Sequence, residues 1–492
     1  MLGWRFYGRS QELDRLREML SRRRWFFCKL SGRRRIGKTS LVQQALPPDG
    51  PKVVYLQVPD SAPSGVVAAF RDALEVFEVD LSGLPPLSDL RSTAQAIGVL
   101  ADRKYVVVLD EFQYFSRKQL SEFTSYLQDV VDERSARASR VPGGLIVLGS
   151  IHTDMIALLE DRKAPLYSRT TDDIQLDHLD VESLLELLEA HTKATPERFL
   201  FLWTLFEGVP KFYRDCFEQG VLDAPRKELL ERMFFRSSSP LRSEAENWFL
   251  HELRGRYDVA LKYLARHPGC SHGDLQSHVS SVSGESTEQV GGYLKMLHEK
   301  FGMIDKQLPI LSKARARKSR YYLADNFLVA WLAALKPSVD ALHFRPPELL
   351  VARADQLLCD VEGHALERLV GKLYEERGRK GLPGFELTSR VAGYWDGADA
   401  DIDLVALNEE AEIVRFGTIK RDPTRLPASF ARLYSSAQTF LRNEPRLARW
   451  KREFVAIAPR LCDDERERIT RAGLLAQDLR DLWTGLEPKA RP

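Results

Sequence analysis

Residues 31–40 read SGRRRIGKTS, and the placing of Gly32, Gly37, Lys38 and Thr39 within them decides the fold. From Gly32 the run fits G-x-x-x-x-G-K-[ST]. Glycine at both ends of such a loop permits backbone conformations in which successive N–H groups face one anion. The apolar segment WFFCKLSG (25–32) predicts a short buried strand before it, and LVQQAL predicts the opening of a helix after it. In that strand–loop–helix setting Lys38 is a point charge for the β- and γ-phosphates, the helix start adds its positive end, and the Thr39 hydroxyl is a ligand for Mg2+. The expected nucleotide contacts run through Gly32, Arg33, Arg34, Arg35, Ile36, Gly37, Lys38, Thr39 and Ser40.

A phosphate loop needs a second half, and KYVVVLDEFQYF (104–115) supplies it. Tyr105 to Leu109 predict a buried, parallel-type strand whose end puts Asp110 and Glu111 at the carboxyl edge of the sheet. There Asp110 would hold Mg2+ through its water shell, and Glu111 would orient or deprotonate an attacking water. A further apolar strand, GGLIVLGS (143–150), ends in Ser150, a polar tip suited to sensing the γ-phosphate. The plain alternative is that these are polar strand ends without a role. The three arginines have two readings. Loop contacts to phosphate use backbone, so Arg33 and Arg34 either pair with a surface or neighbouring domain, or meet the nucleotide or another subunit's acidic edge.

The bulk numbers frame this site. A chain of 492 residues exceeds one core, and an apolar fraction of 44% with 29% charged is that of a globular protein. Net charge is only +2, so a case for nucleic acid must rest on local patches. FLVAWLAAL (327–335) is about half a bilayer span, and MLGWRFYGRS has no signal-peptide core. Five scattered cysteines without a CxxC pair suit reduced thiols and a cytoplasmic location. The histidines form no HExxH or Cys/His cluster, and no G-x-S-x-G elbow is present.

At this point the chain resembles the archaeal-type ATPase family, also found in bacteria, within the STAND branch of AAA-like P-loop NTPases. The resemblance is carried by FYGRSQELDRL (6–16), GRRRIGKTSL, VVVLDEFQ, IVLGS, PLYSRT (165–170) and EGVPKFY (207–213), and it extends over nearly the whole chain. It implies ATP and Mg2+ as cofactors. It also implies that the segment around Arg9 lies by the adenine and that Pro210, in a small helical lid, closes over it. Where the family usually has Gly-Gly before that proline, this chain has Glu207-Gly208. By the same analogy Arg169 is a finger-like residue neutralising charge in phosphoryl transfer, or else it forms a salt bridge such as one to Asp172 or Asp173.

Beyond SSSPLRSE (237–244), the pattern is helix (YDVALKYLARH), turn, helix (HGDLQSHV), polar turn, helix (TEQVGGYLKMLHEKFGMI), then the extended pair IDKQLPIL and SRYYLAD around KARARK. This is the order of a winged helix-turn-helix. The last helix is nearly neutral, with Glu288 and Glu299 against Lys295 and Lys300. The wing carries Lys313, Arg315, Arg317, Lys318 and Arg320, and five phosphate contacts would give a log–log salt slope of about −4.5. The wing either touches double-stranded DNA, or is a solvated hairpin or one docked on an acidic neighbour within the chain.

Residues 340–492 look like the family's C-terminal domain, similar to restriction-endonuclease-like PD-(D/E)xK folds. The carriers are GHALERLVGKLYEER (363–377), GYWDGADADIDLVAL (393–407) and EIVRFGTIKR (412–421). Asp403, with Asp401 nearby, fits the first acid, Lys420 the lysine and Glu367 a helical acid. The second acid should stand at 418, where this chain has Thr418, a poor ligand for a hard divalent cation. Glu412 shares that strand face but lies about 20 Å away.

The expected architecture is therefore α/β. A parallel P-loop sheet (1–180) with a helical lid (181–240) is followed by a winged helix-turn-helix (245–338) and a restriction-endonuclease-like α/β domain (340–492). The function this favours is a Mg-ATP-hydrolysing switch that passes nucleotide state to DNA, a protein partner or a second copy, with no membrane partner. The alternatives are an ATP-regulated DNA nuclease, for instance one in defence, and an ATP-binding DNA regulator with little turnover.

Overall fold

The computed structural model describes residues 3–46, 50–150, 152–242, 244, 257–284, 287–313, 318–397 and 400–487. The chain divides into two compact units. One is Gly8–His178; the other joins Met1–Tyr7 to Leu179–Pro492.

In Gly8–His178 five strands form one parallel sheet: β1 (Phe27–Gly32), β2 (Lys52–Gln57), β3 (Tyr105–Asp110), β4 (Gly144–Gly149) and β5 (Asp172–Leu176), in the order β2-β3-β4-β1-β5. Every residue of β3 and β4 is buried, as central strands covered on both faces require. Because β4 lies between β1 and β3, its carboxyl end at Ser150 falls between the phosphate loop and Asp110. The Leu90–Asp102 helix starts in a capping box, the Asp89 carboxylate accepting the Ser92 N–H at 2.8 Å while the Ser92 hydroxyl oxygen accepts from the Asp89 N–H. Midway along it, Gly98 leaves room for the buried guanidinium of Arg134 from the Glu122–Ala136 helix. A Cβ at 98 would stand 2.5 Å from Arg134 Cζ. That arginine is held by Asp102 at 3.0 Å and Glu133 at 2.5 Å.

The other unit opens with the helices Val181–His191, Pro196–Phe206 and Pro210–Glu218. Proline at the first helical position suits the last two, since its fixed φ matches the helix and its missing N–H would be unbonded there. Between them Glu207 takes φ 49° and ψ −124°, a conformation natural to glycine. The residue is 1% exposed. Its carboxylate accepts the Asn326 N–H at 3.2 Å and the Arg368 guanidinium at 2.8 Å. Arg368 also donates to the carbonyls of Leu323 and Ala324, and the Asn326 amide donates to the Trp203 carbonyl. One strained residue thus ties two helices to the segment near 325 and to the helix Pro347–Arg379.

Further along come the helix Asp258–Arg266, β6 (Cys270–Ser271), the helices His272–Ser283 and Thr287–Lys295, and the antiparallel pair β7 (Ile304–Gln307) and β8 (Arg320–Leu323). After the 33-residue helix Pro347–Arg379 stands a mixed sheet in the order β13-β12-β11-β10-β9: β9 (Ala392–Asp396), β10 (Ala400–Asn408), β11 (Ile413–Ile419), β12 (Lys451–Ala458) and β13 (Leu475–Asp478). β9, β10 and β11 are antiparallel, whereas β12 and β13 continue in parallel. Among the described residues no helix is long and apolar enough to cross a membrane.

Candidate nucleotide site and basic hairpin

The phosphate loop folds as its glycines demand. Gly32 has φ 152°, and a Cβ there would lie 2.6 Å from the Leu176 carbonyl oxygen; Gly37 has φ 95°. Arg35 adopts φ 65° between them, so the loop alternates in hand as an anion-binding nest does. Ile36 is buried beneath the loop, whereas Arg34 and Ser40 are exposed. Lys38, at the start of the Lys38–Ala45 helix, is 8% exposed and donates to the carbonyls of Gly32 at 2.9 Å and Arg33 at 3.0 Å. Burial lowers its pKa to about 8; Asp110 and Glu111 pull it back up, and Arg34 pushes it further down.

The two halves of the motif meet. The Thr39 hydroxyl donates to Asp110 Oδ2 at 2.9 Å. The same oxygen accepts the Tyr55 hydroxyl at 2.7 Å, and burial followed by that hydrogen bond raises the Tyr55 pKa. Asp110 Oδ1 accepts the Glu111 N–H at 2.8 Å. Thr39 and Asp110 are hard oxygen donors facing each other beside a buried lysine, a set that fits Mg2+ bound together with phosphate. Glu111 stands at φ 55° just past β3. Its Oε2 accepts the Ser150 hydroxyl at 3.1 Å and the Gln113 side-chain amide. Gln113, 2% exposed, also donates to Ser150 Oγ at 3.3 Å. Ser150, expected to sense phosphate, is engaged here with the carboxylate.

Tyr55 and Gln113 are absent from the expected set. Tyr55 comes from β2, a strand that the motif spacing does not address. Gln113 could have been found as the one amide between Phe112 and the aromatics Tyr114 and Phe115, a buried polar group in need of a partner.

The arginines divide. The Arg33 guanidinium donates to Nε2 of His178 at 3.2 Å, just past β5. Arg9, at φ 64°, donates to the Asp177 carbonyl and pairs with Glu12 at 3.4 Å. Both therefore gather at the exit of β5. Arg34 alone of the loop arginines is exposed, and its charge reaches Lys38. Arg169 differs from either expected pairing. It grips both carboxylate oxygens of Asp132, at 2.7 and 2.9 Å, because Asp172 is taken by Arg22 and Asp173 by Lys29. That grip raises the pKa of Arg169 and lowers that of Asp132. Pro210 is the first residue of the Pro210–Glu218 helix, in the other unit.

The basic hairpin is docked on its own chain. Arg315 and Arg317 lie outside the described residues, and Lys313 is exposed. Lys318 pairs with Asp396 at 2.6 Å, and Arg320 pairs with Asp401 at 3.0 Å while its guanidinium sits 4.5 Å from the Trp395 ring centre. Of the readings open for the wing, Lys318 and Arg320 here take the one docked on an acidic neighbour within the chain, with the acids on β9 and β10.

The nuclease-like residues are likewise occupied by protein groups. Asp403 Oδ2 accepts from Thr418 Oγ1 at 3.2 Å, the Ile419 N–H at 2.7 Å and Lys420 Nζ at 2.9 Å. Burial, followed by the Asp403 charge, raises the pKa of Glu367. Among the described residues, Glu367, Asp401 and Asp403 do not bring three carboxylate oxygens within 4.8 Å of one another, as a shared cation would need.

No protein-family model matches the chain. It is 25% identical over 421 residues to the uncharacterized protein MJECL04 of Methanocaldococcus jannaschii, covering 84% of this chain and 87% of that one. Among solved structures, the Walker-type ATPase PABY2304 of Pyrococcus abyssi superposes with a TM-score of 0.52 at 18% identity, covering 66% of this chain and 96% of that one. The ORC2 protein of Aeropyrum pernix, solved as ADPNP-ADP complexes, gives a TM-score of 0.45 at 15% identity, over 73% of this chain and 96% of that one. The fold is that of a P-loop ATPase, with its parallel five-stranded sheet.

Proposed function

We propose that the chain is a Mg-ATP-binding and slowly hydrolysing switch, and that its nucleotide state is passed to DNA or a protein partner through a winged helix and a nuclease-like domain without nuclease chemistry. The observation that carries the reading is the Thr39–Asp110 hydrogen bond of 2.9 Å, which joins the phosphate loop to the acid end of β3. In this reading Lys38 leaves the Gly32 and Arg33 carbonyls for the β- and γ-phosphates, and the loop N–H groups cradle the same oxygens. Mg2+, held by Thr39 and Asp110, would neutralise phosphate charge. Glu111 takes the proton of the attacking water, while Gln113 and Ser150 fix where its carboxylate points. A terminal phosphate that draws away the Ser150 hydroxyl frees Glu111 for that task. Two-state behaviour follows from such rearrangements at a sheet edge. Arg169, clamped to Asp132, serves in this reading to brace the Glu122–Ala136 helix.

The test compares wild type with Lys38→Ala and Glu111→Gln. Lys38→Ala should lose Mg-dependent ATP binding by at least about tenfold, whereas Glu111→Gln should keep binding and lose turnover by about 100-fold. ATP binding by Lys38→Ala at wild-type affinity would overturn the proposal.

A further inference from the structure

We propose that the β7–β8 hairpin and the acidic rim of β9 and β10 form a self-closing contact. In it Asp396 and Asp401 stand in for the phosphates of duplex DNA, and the contact opens when a duplex binds Lys318 and Arg320. The inference rests on the winged-helix reading above and not on ATP hydrolysis.

The contact has a fixed part and an exchangeable part. Fixed are the backbone anchors: the Ile310 N–H donates to the Gly393 carbonyl at 3.0 Å, and the Trp395 indole N–H donates to the Lys318 carbonyl at 2.7 Å. Ile310 and Leu311 pack against the apolar core of the C-terminal sheet. Exchangeable are the charged ends. The side chains of Lys318 and Asp396 are 49% and 31% exposed, and those of Arg320 and Asp401 are 28% and 36%. Pairs this wet hold weakly, so a denser anion can take the cations without moving the anchors.

Each acid also has a second partner. Asp396 Oδ2 accepts the Asn443 amide at 2.9 Å, and Asp401 Oδ2 lies 3.9 Å from Arg432. Neither carboxylate would be stranded if its hairpin partner swung away, which removes the main penalty for opening. Trp395 supports the face of Arg320 and so leaves the guanidinium edge to meet Asp401 Oδ1, an edge that can equally meet a phosphate oxygen. Lys313 stands exposed on the same segment, ready to add a third contact. A hairpin that follows three helices in winged-helix order makes a duplex the fitting polyanion.

The experiment measures binding of a mixed-sequence DNA duplex to the full chain across a salt series. Asp396→Asn with Asp401→Asn keeps the shape and the hydrogen-bonding capacity of both acids, and should bind about tenfold tighter at low salt. Its log–log slope should match that of the native chain, because both cations meet phosphate in either complex, and should flatten by about 1.8 once both are alanine. Adding Lys318→Ala and Arg320→Ala to that variant should remove the gain. The same two alanines in an otherwise native chain, with the acids untouched, should weaken whatever duplex binding the native protein has. Unchanged affinity in the asparagine variant, a gain that survives loss of Lys318 and Arg320, or no duplex binding by any form would overturn the proposal. Preference of the opened hairpin for an acidic protein over the duplex would also overturn it. ATP turnover measured alongside should stay at the native level in the asparagine variant, so failure of the hydrolysis reading would appear separately, as no turnover in any form.

Discussion

Lys38 is the residue at which charge and burial compete most openly. Its pKa near 8 in the nucleotide-free protein lies below the ordinary lysine value because burial opposes the ammonium. Phosphate favours that ammonium, so nucleotide binding takes up a proton whenever Lys38 is neutral. Affinity should therefore fall as pH rises through 8, by about fivefold between pH 8 and pH 9, and titration of ATP across that range would show it. An affinity flat to pH 9 would mean that Lys38 does not meet the phosphates. The same depressed value has the opposite sign for folding. Between pH 8 and about 10.4 the unfolded chain binds more protons at this residue, so its cost to the nucleotide-free fold fades as pH rises. Lys38, Thr39 and Asp110 were legible in the sequence because the loop spacing and one apolar strand define them together. The partner of Arg169 was not legible: Asp172 and Asp173 lie closest in the chain, but Arg22 and Lys29 claim them, and Asp132 is brought up by a helix 37 residues away.

At the level of elements, the Leu90–Asp102 and Glu122–Ala136 helices show packing overriding helix propensity. Alanine is the better helix residue by about 1 kcal/mol, yet at 98 its methyl would collide with a guanidinium that two acids hold in place. Gly98→Ala should therefore destabilise the protein by about 1–3 kcal/mol in denaturant unfolding. A stabilised variant would show Arg134 able to swing aside. The strands β1, β3 and β4 were readable because central parallel strands are continuous apolar runs. β9 and β10 were read only as carriers of acids, and the acidic neighbour on which the hairpin could dock had no address. Sequence gives no sight of a counter-charge 78 or 81 residues further on, which is where Asp396 and Asp401 stand relative to Lys318 and Arg320.

Across the chain the organising fact is that Leu179–Pro492, with Met1–Tyr7, clusters as one compact unit. The buried Glu207–Arg368 pair is a main tie within it. Arg368→Met removes the guanidinium that faces this buried carboxylate, and should cost about 3 kcal/mol in chemical denaturation. Adding Glu207→Gly removes that carboxylate and relieves the backbone, so the double variant should be more stable than Arg368→Met alone. The reverse order would show the pair to be incidental. In the sequence Glu207 stood out only as a departure from Gly-Gly.

That one residue also sets how motion can travel. A glycine at 207 would let the Pro196–Phe206 and Pro210–Glu218 helices pivot freely about their joint. The glutamate bars this, because any turn at the joint pulls on Asn326 and on Arg368 at once. Arg368 sits about 30 Å along its helix from Pro347. A twist at Pro210 thus reaches a rod rather than a hinge, and the gearing has no backlash.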